Sequence, residues 1–313
     1  MPNKKIQLKS ARDGFGEALL ELGKKNKDIA VVSADLAEST RAHHFAKKYP
    51  SRFVEVGVAE QNMLGVATGL ALEGKIPFAT SFGAFSPGRN WDQLRVSVCY
   101  SNANVKIIGS HTGLSVGPDG ASHQALEDIA ITRCLPNLVV LAPADFKETK
   151  LATVAAAKHQ GPVYIRFARQ AGPIFTKGKF AIGKAQVLIP GKDITLIGCG
   201  PILEEALIAA RELAKKNIKL EVINSASIKP LDKNTILKSV KKTGRVITLE
   251  DHQIIGGLGS AVAELLSEKL PTPIKMIGVR DQFGRSGKAD QLWEKYKMTH
   301  PYIIKEVLNL LKK

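Results

Sequence analysis

Apolar and polar positions along this chain switch repeatedly between two periods. Arg12 to Lys25 carries apolar residues at helical spacing. Ile29-Ala30-Val31-Val32 follows as a short continuous apolar run, the pattern of a strand buried on both faces. The exchange then recurs. Thr40 to Lys48 reads as helix, Phe53 to Val56 as strand, Glu60 to Glu73 as helix and Ile76 to Thr80 as strand. Asn90 to Tyr100 reads as helix and Val105 to Gly109 as strand. A glycine-rich loop from His111 to Ala121 leads into a helix over Gln124 to Arg133, with Ser122 placed to cap it. Strand Leu138 to Leu141, helix Phe146 to Lys158 and strand Val163 to Phe167 complete a first unit.

Arg169 to Gly183 breaks the rhythm with Gly172-Pro173, Gly178 and Gly183, as a linker would. The alternation then restarts. Strands are expected at Ile194 to Ile197, Lys219 to Ile223, Arg245 to Leu249 and Ile274 to Gly278. Helices are expected at Leu203 to Lys215, Lys233 to Lys241, Ser260 to Lys269 and near Tyr302 to Lys312, and Gly256 to Gly259 reads as a tight turn. The expected class is α/β, with two parallel-sheet domains divided near residue 180 and helices on the sheet faces.

Composition fits that class. The chain has 313 residues, 44% hydrophobic and 24% charged, as in a globular enzyme. No apolar run approaches the roughly 18 residues of a spanning helix. The segment Met1 to Ser10 is polar and basic, unlike a secretory signal. Cys99, Cys134 and Cys199 are far apart and lack metal-ligand spacing. These features point to a cytoplasmic protein whose three thiols are buried and reduced. The net charge of +16 raises nucleic acid as a partner. Residues 177–313 hold 24 Lys+Arg and 14 Asp+Glu, so 24 − 14 = +10; the rest hold 21 and 15, so 21 − 15 = +6. Lysine doublets near helix ends and the lack of a basic stripe with aromatics favour a solvated surface instead.

Ligands of open parallel sheets bind beyond the carboxyl ends of the strands. That rule collects Asp35, Glu60, Phe82, Phe85, His111, Asp145 and Arg169, and the glycine-rich loop adds Asp119 and His123. Each has a plain alternative. Glu60 heads a helix and suits its dipole. Asp119 lies in Pro118-Asp119-Gly120, ordinary turn chemistry. The two phenylalanines fit a core, and the histidines fit a surface loop. The glycines match no P-loop or dinucleotide fingerprint, and no serine has a nucleophile-elbow context.

The motifs taken together are more specific. Ala34-Asp35-Leu36 with Ser39, Gly57-Val58-Ala59-Glu60-Gln61-Asn62-Met63 and Ser81-Phe82-Gly83-Ala84-Phe85 occur in that order. Asp119-Gly120-Ala121-Ser122-His123-Gln124-Ala125-Leu126-Glu127, Leu135-Pro136-Asn137, Pro143-Ala144-Asp145 and Arg169-Gln170 follow. The series resembles the pyrimidine-binding and C-terminal domains of transketolase across nearly the whole chain, in the manner of the C-terminal subunit of a split transketolase.

The resemblance implies roles residue by residue. Glu60 would bond the aminopyrimidine of thiamine diphosphate and favour its imino tautomer. Phe85 and Phe82 would lie against that ring. Asp35 and Leu36 would lie near the cofactor at a subunit interface. His111 would stand near cofactor and donor sugar, and Asp119 would contact a sugar hydroxyl. Arg12, Ser39, His123 and Arg169 would hold the terminal phosphate. Two positions depart from the family. Ala59 stands where many single-chain members have arginine. A third aromatic beyond Phe85 has no clean equivalent, since Gly88 or Arg89 falls there with Trp91 close by. The family's Gly-Asp-Gly motif for Mg²⁺ and diphosphate is missing from the sequence. The resemblance therefore implies a separate N-terminal subunit that brings Mg²⁺ and the diphosphate half, in a heterotetramer acting on sugar phosphates. The implied reaction moves a two-carbon ketol unit. The alternatives are a 1-deoxyxylulose-phosphate synthase-like or 2-oxoacid dehydrogenase beta-like subunit, or a non-catalytic scaffold.

Overall fold

The computed structural model describes residues 8–312; most of the polar Met1 to Ser10 segment lies outside them. Within them the chain forms two mostly parallel sheets packed by helices, the α/β class expected from the pattern, and a third, two-stranded antiparallel sheet that pairs Leu8–Ser10 with Ala171–Pro173.

The first unit runs β1 (Leu8–Ser10), α1 (Ala11–Lys25), β2 (Ile29–Ser33), α2 (Ala37–Thr40), α3 (His43–Lys48), β3 (Phe53–Glu55), α4 (Glu60–Leu72) and β4 (Ile76–Phe82). It continues with α5 (Trp91–Gln93), β5 (Lys106–Ser110), α6 (Asp128–Arg133), β6 (Val139–Leu141), α7 (Phe146–Lys158), β7 (Val163–Phe167) and β8 (Ala171–Pro173). β2, β5 and β7 are buried at every position, β2 as its continuous apolar run requires, β5 and β7 with Lys106 and Arg166 buried among their apolar residues. The N-cap Ser10 starts α1 by accepting the Asp13 N–H, and Lys24 and Lys25 close it against the dipole. α1 packs along α7 so closely that a Cβ on Gly14 would run into the Phe146 carbonyl oxygen.

The second unit runs β9 (Gln186–Ile189), β10 (Ile194–Gly198), α8 (Leu203–Ala214), β11 (Leu220–Asn224), β12 (Ser227–Lys229), α9 (Lys233–Thr243) and β13 (Val246–Gln253). Then come α10 (Leu258–Lys269), β14 (Ile274–Val279), α11 (Ala289–Lys295) and α12 (His300–Leu311). α10 begins where the Glu250 carboxylate accepts the Leu258 and Gly259 N–H groups.

The five-stranded sheet has the order β14-β13-β10-β11-β9, with β9 antiparallel. The seven-stranded sheet has the order β12-β6-β7-β5-β4-β2-β3. Its edge strand β12 comes from the second unit and pairs antiparallel with β6. One hydrophobic cluster joins Val32, Met63 and Ile107 of the first unit to Ile197, Ile223 and Leu258 of the second.

Cys99 and Cys199 are buried as expected, whereas Cys134, just past the end of α6, is exposed. Several elements differ from the pattern. The helix expected over Thr40 to Lys48 is two helices, broken at Arg41 with φ 71°. The helix expected from Gln124 begins only at Asp128, without a side-chain cap. Residues 124–127 instead spend their backbone on other segments: Gly113 N–H donates to the Ala125 carbonyl and Gln253 N–H to the Leu126 carbonyl. Ser122 caps nothing there; its Oγ lies 2.9 Å from His123 Nδ1. The Asn90 to Tyr100 helix is a short α-turn continued as a π-helix over Leu94–Tyr100. β1, β8, β9, β12 and α11 were not expected, being short and set by distant partners.

Candidate active site

The loops after the strands of the first sheet converge, and neighbouring strands bring residues distant in sequence side by side. Phe82 at the end of β4 stands opposite Ser110 at the end of β5. His111 follows and stacks on Phe82, with ring centroids 3.9 Å apart and planes at 23°. Phe85 stacks beside Phe82 at 5.9 Å, and His123 meets the Phe85 ring edge-on at 5.2 Å. Four rings from two loops thus form one aromatic wall. His111 adopts φ 58°, and its Nδ1 lies 2.8 Å from Ser110 Oγ. Burial, followed by the charges of Arg12, Arg169 and Arg41, pushes its pKa down to about 3. The imidazole is therefore neutral across the physiological range, with one N–H and one lone pair.

Glu60 opens α4 and is 3% exposed. Asn90 Nδ2 donates to its backbone carbonyl at 3.0 Å and to Ser86 Oγ at 3.1 Å, which fixes the start of the helix. Arg89 Nη1 donates to both Glu60 carboxylate oxygens, at 3.0 and 3.2 Å. The same guanidinium lies over the Phe85 ring, 4.2 Å from its centroid. A flat N–H-bearing group thus already rests on an aromatic face with its edge against a buried carboxylate. That donor and acceptor set fits the aminopyrimidine of thiamine diphosphate.

A second concave region lies alongside. Arg12, Arg41, Arg169 and Lys288 line a cavity of about 470 Å³ with Ser10, Asp13 and residues 115–118. Arg12 Nη1 donates to the Ser39 carbonyl at 3.2 Å, and its buried Nε has no partner. Burial and then the neighbouring Arg41 and Arg169 hold the Arg12 pKa below its ordinary value, against the opposite pull of Asp13. Arg41 Nε donates to Asp13 at 2.7 Å. Arg169 donates to the Val116 carbonyl at 3.1 Å and lies 3.4 Å from Asp119. Crowded guanidinium groups of this kind suit a dianion.

The sequence-derived residues therefore fall into groups. Phe82, Phe85, His111 and His123 share the aromatic wall, and Glu60 joins it through Arg89. Arg12 and Arg169 line the cationic cavity, and Asp119 borders it only through its contact with Arg169. Ser39 reaches it through its carbonyl, and His123 stands with the rings rather than among the cavity-lining arginines. Asp35 adopts φ 58° and donates its N–H to Glu55 Oε1, which also accepts the Gly57 N–H. Asp35 and Leu36 are thereby tied to the segment that leads into Glu60. Asp145 is structural: it caps α7 and accepts N–H groups from Phe175 and Thr176. Trp91 turns away to donate to the Ile131 carbonyl. Arg41, Arg89 and Asn90 were missed. Arg41 gave no sequence signal, since it fell inside the helix expected over Thr40 to Lys48, and Arg89 and Asn90 had only their position one turn past Phe85. Among the described residues no group of three or more His, Cys, Asp or Glu side chains is arranged to hold a metal ion.

Comparison with known proteins extends over the whole fold. Residues 8–174 match the transketolase pyrimidine-binding domain and residues 183–303 the transketolase C-terminal domain. The chain is 47% identical to a putative transketolase C-terminal section of Methanocaldococcus jannaschii, covering 97% of each. It is 42% identical to a 6-deoxy-6-sulfo-D-fructose transketolase subunit of Clostridium sp., covering 94% of this chain and 92% of that one. A solved structure described as a split gene transketolase, inactive beta4 tetramer, superposes with a TM-score of 0.90 at 44% identity, covering 97% of this chain and 98% of that one. The chain belongs to the transketolase family and corresponds to the C-terminal subunit of its split members.

Proposed function

We propose that this chain supplies the pyrimidine half of a thiamine diphosphate site and transfers a two-carbon ketol unit from a ketose phosphate to an aldose phosphate. An N-terminal transketolase subunit would bring the diphosphate half and Mg²⁺. The observation that carries the reading is the buried Glu60 carboxylate, linked through the Arg89 guanidinium to the face of Phe85.

Thiamine diphosphate, when bound, supplies the carbon nucleophile and the electron sink. The work of this chain is to bind, orient and hold protons. Glu60 accepts an N–H from the ring edge and keeps the proton there. Phe82 and Phe85 cover the ring face and exclude water. Neutral His111 donates to or accepts from a donor-sugar hydroxyl without adding charge, and Asp119 accepts from another. Arg12, positioned by the Ser39 carbonyl, and Arg169, aided by Arg41, hold the far anion, so that remote binding energy orients the reacting carbons.

The surface of α4 supports the partner reading. The helix is rich in small and apolar residues, and Gly65, Gly69 and Leu72 are exposed on it, with Val58 exposed just before it. A helix apolar on most sides suits burial against another chain, as in a heterotetramer of two copies of each subunit. The relative named for 6-deoxy-6-sulfo-D-fructose shows that the sugar can vary within the family. Guanidinium groups receive a sulfonate much as they do a phosphate.

The test is reconstitution with the N-terminal subunit. Ketol transfer is assayed from xylulose 5-phosphate to ribose 5-phosphate, the pentose phosphate exchange, and from 6-deoxy-6-sulfofructose. Glu60→Gln should lower kcat by about 100-fold or more while the complex still assembles. Turnover of pyruvate in place of a ketose would replace this reading with the 1-deoxyxylulose-phosphate synthase-like or 2-oxoacid dehydrogenase beta-like one. Full activity in Glu60→Gln would leave this chain as a scaffold.

A further inference from the structure

We infer that Asp251 of the second unit is the positioning residue for the loop that carries His111, Asp119 and His123, so that the C-terminal domain acts on the site by fixing that loop. The inference rests on the ketol-transfer reading above.

The loop between β5 and α6 lies along the end of β13. Asp251 is 4% exposed and points its carboxylate into the first turn of that loop. Its Oδ1 accepts the Leu114 N–H at 2.8 Å. Its Oδ2 accepts the Ser115 N–H at 3.2 Å and Trp293 Nε1–H, from α11, at 3.1 Å. The two backbone amides belong to the 3-10 turn Leu114–Val116, so one carboxylate caps the turn across the domain boundary. Gly113 makes the approach possible. It adopts φ 78°, and a Cβ there would collide with Asp251 Oδ2.

The far end of the loop rests on the same strand. Gln253 N–H donates to the Leu126 carbonyl at 2.8 Å. Ile129 N–H donates to His252 Nε2 at 3.2 Å, with the other ring nitrogen 2.6 Å from the Gln253 carbonyl, which requires the proton on Nδ1. Gln124 Nε2 reaches the Arg285 carbonyl at 3.0 Å. Residues 113–115 and 124–129 are therefore both tied to the second unit. Asp119 and His123 lie between the two anchors, and His111 stands just before the first.

A carboxylate is needed because three N–H donors converge on it. Asparagine would keep one acceptor and turn a donor toward a donor. Trp293→Phe removes one of the three bonds and leaves both backbone contacts. Both variants are made in the full chain, and amide exchange over residues 111–127 is measured on that chain alone. The complex with the N-terminal subunit then gives kcat, KM for the ketose and the Kd of thiamine diphosphate. In Asp251→Asn the Leu114 and Ser115 amides should exchange roughly tenfold faster or more. Ketose kcat/KM should fall by about 10- to 100-fold, with cofactor Kd within about threefold of the parent. Trp293→Phe should move the same quantities the same way by less. A merely structural defect would weaken cofactor binding together with turnover, and that result overturns the proposal. So does unchanged exchange over the loop. If Asp251→Asn does not fold, Trp293→Phe decides by the same criteria. If the parent complex shows no ketol transfer, the reading of function fails, while exchange still decides whether Asp251 holds the loop.

Discussion

The Glu60 carboxylate is almost wholly buried, whereas the Arg89 side chain that bonds it is half exposed. Removing the arginine leaves a buried charge without its partner, the costly direction for any such pair. Solvent at Arg89 moderates the loss, so Arg89→Ala should destabilise the chain by about 1–2 kcal/mol in urea unfolding. Adding Glu60→Gln should recover most of that, since the orphaned charge disappears with it. Additive losses in the double-mutant cycle would show that the two side chains do not interact. His111 is coupled to pH. Its folded pKa is about 3 and its ordinary value 6.5, so between these the unfolded chain binds a proton that the folded chain does not. Stability is fully present above about pH 6.5 and falls on acidification, by about 1.4 kcal/mol per pH unit in the steep part. His111→Asn lacks this loss. Its stability difference from the parent should shift in the variant's favour between pH 7 and 5; a constant difference would contradict it. Glu60 and His111 were singled out in the sequence because strand ends and motif order pointed to them, and the folded chain sets both beside the Phe82 and Phe85 rings. Arg89 was not, because the sequence at Gly88 and Arg89 breaks the aromatic pattern, and only the folded chain shows a guanidinium lying on Phe85 beside Glu60.

At the level of elements, legibility followed burial. The central strand β2 announced itself as an apolar run because both its faces are covered, while β5 and β7, covered as fully, carry Lys106 and Arg166. α1 and α7 stood out because one stripe of each meets the other at close range. The loop after β5 was legible as a loop, but its end was misplaced. Gln124 to Glu127 has helical composition, yet Gln124 bonds the Leu114, Gly117 and Arg285 carbonyls, and Leu126 is held by Gln253 and by the Glu127 side chain. Tertiary bonds outweigh a propensity worth only tenths of a kcal/mol per residue. Edge strands failed for a related reason. Ser227-Ile228-Lys229 has no periodicity to detect, and it is a strand only because β6 offers an open edge.

On the scale of the whole molecule, two sheets do not mean two independent folding units. β12 leaves the second unit to complete the first sheet, a single apolar cluster runs through both, and the loop that carries His111 is tied to β13 at both ends. Either unit alone would expose apolar surface that the other covers, and the first would also present an unpaired β6 edge. The break in periodicity near residue 180 carried no sign of this coupling. A separation visible in sequence thus coexists with a shared core. The chain should therefore melt as one cooperative unit despite its length. Calorimetry should give a single transition with calorimetric and van't Hoff enthalpies in agreement, provided unfolding is reversible. Ile228→Ala, at a side chain buried in the shared cluster, should cost about 2–4 kcal/mol and lower that transition without splitting it. Two resolved transitions, one of them unmoved by Ile228→Ala, would mean that the sheets fold separately and that the contacts across them are incidental.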